Sequence, residues 1–232
     1  HLIIVTELLR DSLFQFYRYL HSTGRRLEYF STSTLATLST QLLHALAFLH
    51  DNGLAHCDVK PENVCVVSAS RHVFKLIDFG SAVFQYDCHN SYVQSRWYAQ
   101  AHSRLTPHSL TLPQPSSSHP PLTPSTHQSH RYRAPEVMLG LLWDGKVDMW
   151  SFGCLLAELV LASPIFHAST VEAVLASHVA VCGPMPSHMV KRSPETARVY
   201  FTSSGGVYQV DPPSMGRGVY TLQPKPHAPL RT

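Results

Sequence analysis

Two short motifs set the strongest limit on what this chain can fold into. The first is HCDVKPEN at residues 56–63, and the second is DFG at residues 78–80. A stretch of β-branched residues separates them, and the triplet APE follows at residues 134–136. Each motif alone is short enough to arise by chance. The three together, in this order, are not a chance combination.

Composition narrows the class of protein. The formal charge of +3 is too small to argue for a nucleic-acid or membrane partner. Five cysteines without a C-x-x-C pair argue against a zinc site or a disulfide framework and favour a reducing compartment. No apolar run approaches the roughly 20 residues that span a bilayer, and no signal peptide is visible. We therefore expect an intracellular protein, cytoplasmic, nuclear or both, whose oligomeric state the sequence leaves open.

Hydrophobic periodicity predicts an α+β chain. The apolar run at residues 1–9 is typical of a buried strand, and short strands are predicted at 64–67 and 73–77. A helix capped by Ser33 or Thr34 carries leucines near the helical period, and its two histidines are interpreted as packing or surface residues.

Further helices are predicted later in the chain. Residues 144–162 are apolar on nearly every side, which predicts a helix buried on all faces. Another helix is expected at 170–182, and mostly loop from 183 to 232. Residues 99–132 are rich in Pro, Ser, Thr and His, which cannot build a core and indicate disorder. The predicted segments are 1–98, 99–132, 133–182 and 183–232.

The motifs resemble those of eukaryotic protein kinases of the CMGC group, and especially the dual-specificity tyrosine-regulated (DYRK-type) kinases. The cysteine of HCD, the serine after DFG, YVQSRWY at 92–98 and GPMP at 183–186 support the narrower resemblance. It covers residues 1–98 and 133 to about 210 and implies a protein kinase-like fold, mainly the helical C-terminal lobe from the hinge onward. No residue matches the glycine-rich loop or the strand lysine, so we expect the N-terminal lobe to be absent from this chain.

The resemblance implies transfer of the ATP γ-phosphate to hydroxyls of protein substrates. Asp58 would accept the hydroxyl proton, which is worth about 10²–10⁴ in rate. Lys60 would contact the γ-phosphate, and its place after the aspartate points to Ser/Thr substrates. Asn63 and Asp78 would hold Mg²⁺. Ser95 would bridge Asp58 and Lys60.

The nucleotide pocket is also implied by the resemblance. Thr6 falls at the gatekeeper position, where a phenylalanine is expected, so access to the pocket is expected to be wider. Cys65 is interpreted as a small apolar filler. The residues placed around ATP are Thr6, Glu7, Leu8, Leu9, Cys65 and Ile77.

Other residues would be architectural or regulatory. His56 and Phe79 would stack between the lobes, and Asp148 would hydrogen-bond the catalytic-loop backbone. The regulatory set is Tyr92, Arg96 and Arg133.

Tyr92 matches the tyrosine that DYRK-type kinases phosphorylate on themselves. Its phosphate would be clamped by Arg96 and Arg133. Arg133 also implies a proline just after the target hydroxyl, and Glu62 would attract a basic residue upstream of it.

The family pattern S-R-x-Y-R-x-P-E is interrupted here. Removing 99–132 or 98–131 restores it equally well. Two explanations stay open: a genuine disordered insertion, or non-coding sequence carried into the protein. The clean excision favours the second, and sequencing the transcript decides it.

A rival interpretation is an inactive, pseudokinase-like scaffold. Intact Asp58, Lys60, Asn63 and Asp78 weigh against it. The chain starts at His1 without a methionine and lacks the arginine that normally pairs with Glu136. We therefore expect an incomplete catalytic domain with weak or no activity when isolated.

Overall fold

The computed structural model describes residues 3, 5–84, 130–167, 171–198, 200–202, 206–210 and 219–221. In these residues the chain is α+β, with helices and small sheets. The helices are α1 Leu13–Ser22, α2 Arg26–Tyr29, α3 Thr32–Asp51, α4 Pro135–Met138, α5 Lys146–Leu161, α6 Val171–Cys182, α7 Ser187–Arg192 and α8 Glu195–Arg198. The strands are β1 Leu54–Ala55, β2 Val64–Ser68, β3 Val73–Leu76, β4 Val83–Phe84, β5 Tyr208–Val210 and β6 Val219–Thr221. They pair antiparallel as β1 with β4, β2 with β3 and β5 with β6.

Helices α1 and α3 begin at serine caps. Ser12 Oγ accepts from the backbone N–H of Gln15 at 3.2 Å, and Gln15 Oε1 accepts from the Ser12 N–H at 3.1 Å, which forms a capping box. The cap of α3 is Ser31, and the prediction of Ser33 or Thr34 is wrong. The reason is local: Ser31 Oγ lies within reach of the Thr34 N–H, at 3.4 Å.

The first core cluster lies between α1, α3, α5 and the β2–β3 hairpin. Its fully buried members include Leu38, Leu46 and Leu155, each at most 1% exposed. The leucines predicted to form the buried stripe of α3 begin at Leu35, which is half-buried. The other four are buried, as predicted: Leu38, Leu42, Leu46 and Leu49.

Helix α5 packs against this core on one side and is exposed to solvent on the other. Its interior side is buried as predicted, but Val160 is 55% exposed and Met149 is 42% exposed. The prediction of burial on all faces is therefore wrong. Surfaces carry many apolar groups, so an apolar residue alone does not mark a buried face.

The apolar run at the start of the chain is not a buried strand. The described part of it contains no strand, and Val5 and Leu8 are 89% and 100% exposed. None of the described elements offers these residues a partner strand or an apolar layer. Hydrophobicity alone therefore does not bury them, and the prediction is wrong for the described residues.

Residues beyond 183 contain more structure than predicted. Helices α7 and α8 and the pair β5–β6 fall there, where mostly loop was expected. A second buried cluster, which includes Leu175, Tyr200 and Phe201, explains this order, because short polar elements with a few large apolar residues can still fold onto α6. Within the described residues, no helix combines the length and apolar character needed to cross a bilayer.

Candidate active site

The loop at residues 56–63 joins β1 to β2, and a carboxylate from α5 fixes its backbone. Asp148 is 0% exposed. Its Oδ2 accepts from the His56 N–H at 2.8 Å, and its Oδ1 accepts from the Cys57 N–H at 2.8 Å. The predicted contact between Asp148 and this loop is confirmed. Cys57 has a φ of 64°, a left-handed conformation that costs energy outside glycine and persists only when neighbours impose it.

Three of the predicted catalytic side chains meet at Asp58. Lys60 Nζ donates to Asp58 Oδ2 at 2.7 Å, and Asn63 Nδ2 donates to the same oxygen at 2.8 Å. Asn63 Nδ2 also donates to the Asp58 carbonyl at 2.9 Å. The side chains of Asp58 and Lys60 keep 21% and 19% exposure, so a ligand can reach them.

The β2–β3 hairpin brings the DFG segment to this loop. Val64 faces Leu76 in the register, and the Ile77 N–H donates to the Asn63 carbonyl at 2.9 Å. Asp78 follows directly, with a φ of 65° and an exposed side chain whose Oδ1 accepts from the Gly80 N–H at 3.1 Å. Asn63 and Asp78 therefore lie at the same end of one hairpin.

His56 connects the two motifs a second time. Its Nε2 donates to the Ile77 carbonyl at 3.1 Å, and its Nδ1 accepts from the Asp58 N–H at 3.3 Å. A carbonyl only accepts and an amide N–H only donates, so this ring is the neutral tautomer with its hydrogen on Nε2. The ring also lies 5.2 Å from Phe79 at an interplanar angle of 60°, so the two rings are in contact as predicted but are tilted rather than stacked.

The residue types at this end of the hairpin fit a magnesium ion that arrives with a nucleotide. Both bonds of Asn63 leave from its amide nitrogen, which leaves the amide oxygen as a ligand, and Asp78 adds a carboxylate. Mg²⁺ prefers such oxygens and completes its shell with phosphates and water. Within the described residues, no group of three His, Cys, Asp or Glu side chains could hold a metal without such help.

Some of the residues predicted to surround ATP are exposed and others are buried. Thr6, Glu7 and Leu8 are exposed, and Glu7 pairs with Lys75 of β3 at 2.5 Å. The backbone after them joins β2, because the Val66 N–H donates to the Asp11 carbonyl at 3.0 Å. The segment at residues 6–9 thus runs up to the open end of the β2–β3 hairpin.

Cys65 lies beside the end of that segment, where its Sγ donates to the carbonyls of Arg10 and Asp11 at 3.3 and 3.4 Å. Cys65 is 1% exposed, and burial raises the pKa of its thiol. A buried, protonated thiol is poorly reactive, which argues against a reactive Cys65. Ile77, which directly follows β3, is half-buried, and so is Leu9.

Arg133 shares a small cavity with Asp58. Burial lowers the pKa of the guanidinium to about 10, and the negative charge of Asp58 opposes that shift. The cavity measures about 50 Å³, and its lining includes Cys57, Asp58, Arg133, Trp143 and Ser151. Of the predicted residues around the activation loop, Tyr92, Ser95 and Arg96 lie outside the described residues.

Tyr132 is held in the core beside this cavity. Its hydroxyl donates to Glu158 Oε2, and its carbonyl accepts from Ser151 Oγ at 2.6 Å. Burial raises the pKa of both Tyr132 and Glu158.

Sequence reasoning missed His50. This residue lies near the end of α3, and its Nε2 contacts Asp148 Oδ2 at 2.9 Å. The two residues are 98 positions apart, so no local pattern could have linked them.

A comparison with known families decides the identity of the chain. A model described as the protein kinase domain matches residues 1–105 and 110–199. The chain belongs to the protein kinase family. Protein kinases act on protein substrates and use ATP and a divalent metal, and the geometry around Asp58 fits that chemistry.

Curated relatives of this kinase chain include several dual-specificity kinases. Dual specificity protein kinase lkh1 of Schizosaccharomyces pombe is 32% identical over 224 residues, covering 89% of this chain and 27% of that protein. The dual specificity protein kinase YAK1 homolog of Arabidopsis thaliana is 30% identical over 211 residues, which is 90% of this chain and 18% of that protein. Human dual specificity tyrosine-phosphorylation-regulated kinase 3 is 29% identical over 207 residues, which is 89% of this chain and 28% of that protein.

The resemblance to DYRK-type kinases is therefore confirmed. The chain spans 15–29% of the length of the relatives that it matches.

Proposed function

We propose that this kinase chain transfers the γ-phosphate of ATP to serine and threonine hydroxyls of protein substrates. The observation that carries the proposal is the arrangement at Asp58. Lys60 and Asn63 both donate to its Oδ2, and the hairpin that holds Asn63 also presents Asp78.

The proposed reaction begins with orientation of the hydroxyl. Because Lys60 and Asn63 occupy Oδ2 of Asp58, Oδ1 is the oxygen that receives the proton of the attacking hydroxyl. The new bond joins the hydroxyl oxygen to the γ-phosphorus, and the bond to the bridging oxygen breaks with its electron pair leaving on ADP. The ammonium of Lys60, already beside Asp58, offsets charge on the transferring group.

The divalent ion supplies charge neutralisation on the phosphates when it is bound. Asn63 and Asp78 would hold it from the protein side. Asn63 is 5% exposed and anchored by two bonds, so its oxygen is pre-oriented. Pre-oriented ligands stabilise the transition state without reorganisation during the reaction.

Substrate choice follows from the neighbours of Asp58. The cavity that Arg133 and Trp143 line next to Asp58 is small and fits a compact side chain such as a proline after the target hydroxyl. Glu62 has a buried carboxylate oxygen without a partner among the described residues, and it would attract a basic residue upstream. We also propose autophosphorylation of Tyr92, with Arg96 and Arg133 as partners of the phosphate.

We propose that this chain by itself transfers phosphate weakly or not at all, because none of its residues matches the strand lysine that grips the α- and β-phosphates. The insertion at 99–132, proposed to separate two parts of one helical lobe, falls in the substrate-binding segment. For its location we propose a reducing intracellular compartment, cytoplasmic, nuclear or both.

The test replaces the proposed base in the full-length protein. Asp58→Asn keeps the shape and most hydrogen bonds but cannot accept the proton at neutral pH. We expect phosphorylation of a Ser-Pro peptide with Mg-ATP to fall by about 10²–10⁴-fold. The matched control is Asp51→Asn, since Asp51 is exposed at the end of α3. Equal activity of Asp58→Asn and the wild type contradicts the proposal.

A further inference from the structure

Asp148 collects three hydrogen-bond donors at a fully buried position. The amides of His56 and Cys57 donate to Oδ2 and Oδ1 at 2.8 Å each, and His50 Nε2 lies 2.9 Å from Oδ2. A carboxylate only accepts, so each partner donates. The geometry therefore assigns a hydrogen to Nε2 of His50.

His50 is the single side-chain donor to Asp148 among the described residues. The other two donors are backbone amides of the very loop that Asp148 holds. When a buried carboxylate loses a hydrogen-bond donor, part of the free-energy cost of its desolvation is no longer compensated, and the group tends to reorient. His50 thus supplies an anchor from α3 that does not depend on the loop itself.

The turn before α5 is held by its own contacts. Burial tends to raise the pKa of the Asp144 carboxyl, but the backbone N–H and the ammonium of Lys146 both donate to this group and lower its pKa overall. Asp144 lies just before α5 and Asp148 lies within it. His50 therefore joins the end of α3 to the start of α5 at the point where α5 meets the catalytic loop.

The backbone that Asp148 holds is strained at Cys57. Cys57 has a φ of 64°, and its N–H bond to Asp148 holds that conformation. The next residue is Asp58. A carboxylate free to rotate would release this peptide and shift Asp58 away from the hydroxyl, and small misplacements reduce rates steeply.

We propose that His50 is a positioning residue for phosphoryl transfer. Its Nε2–H fixes the Asp148 carboxylate, which in turn holds the backbone immediately before Asp58. The inference rests on the proposed function of Asp58, and it assigns a role to a histidine that lies outside the nucleotide and metal sites. A histidine that only filled space would tolerate any ring of its size.

Two variants separate positioning from packing. His50→Phe keeps a ring and removes the donor, whereas His50→Gln keeps an N–H donor at a similar reach. We expect His50→Phe to lower kcat about tenfold while KM for ATP and peptide stays within about twofold, because one hydrogen bond to a charged group is lost. We expect His50→Gln to retain kcat within about threefold of wild type. His44→Phe is the control, because His44 is exposed on the same helix.

A second measurement does not need catalysis. Amide hydrogen exchange at His56 and Cys57 is expected to accelerate about tenfold in His50→Phe and to stay near the wild-type rate in His50→Gln. Unchanged exchange in His50→Phe overturns the proposal, and so does a His50→Gln protein as impaired as His50→Phe. An inactive wild-type protein with this exchange pattern contradicts the proposed function alone and leaves the positioning role supported.

Discussion

His178 of α6 is 2% exposed, yet neither of its ring nitrogens has a partner among the described residues. The ring lies 4.9 Å from Trp150 and 4.3 Å from Phe166, both in edge-to-face contact. Aromatic neighbours cannot solvate a charged imidazolium, and burial lowers the pKa of His178 from 6.5 to about 4. The folded protein therefore keeps this histidine neutral at pH 7.

The depressed pKa of His178 makes stability depend on pH. His178 binds a proton near pH 6.5 in the unfolded chain but only near pH 4 in the folded chain. Protonation therefore favours the unfolded chain as the pH falls. The unfolding free energy is unaffected by this group above pH 6.5 and decreases between pH 6.5 and about 4. We expect a loss of about 3 kcal/mol of unfolding free energy from this group across that window.

Urea unfolding at several pH values checks this expectation. His178→Phe should flatten the slope between pH 6.5 and 4, while His44→Phe, an exposed control, should leave it unchanged. An identical slope in His178→Phe and the wild type contradicts the assignment.

Single residues differ in how far the sequence could predict them. The motif frame placed Asp58, Lys60 and Asn63 together because they lie within one loop of eight residues. It could not predict the donor of His50 or the hydroxyl of Tyr132, since their partners lie on α5 and only packing brings them near.

At the level of elements, α5 links the core to the loop. Leu155 is 0% exposed in the first core cluster, and Asp148 lies two turns earlier on the same helix. The sequence predicted α3, α6 and the β2–β3 hairpin within a few residues, because their periodicity is set by local burial. It failed for the described residues of the run at 1–9, where no described partner buries them.

Helix α5 also allows a matched test of packing. Leu155→Ala leaves a cavity in a fully buried position, and we expect it to lower the unfolding free energy by about 2–5 kcal/mol. Val160→Ala, on the exposed side of the same helix at 55% exposure, should cost much less. Urea unfolding measures both free-energy changes. Equal losses in the two variants would contradict the assignment of Leu155 to the buried core.

At the scale of the whole molecule, the described residues form three buried clusters, and the smallest of them contains Tyr132 beside the cavity. The first supports the catalytic loop through α3 and α5, and the second supports α6 and the segments after it. The antiparallel hairpin then carries Asn63 and Asp78 to one end. This arrangement brings two distant motifs together, which supports the proposed site for a nucleotide and its metal.

The most direct test of that claim is phosphoryl transfer measured against Mg²⁺ concentration in the full-length protein. Asp78→Asn removes the carboxylate that we propose as a metal ligand, and we expect transfer at saturating ATP and Mg²⁺ to fall at least about hundredfold. The control Asp51→Asn should follow the wild-type curve. An Asp78→Asn protein with the wild-type rate and Mg²⁺ dependence would contradict the account.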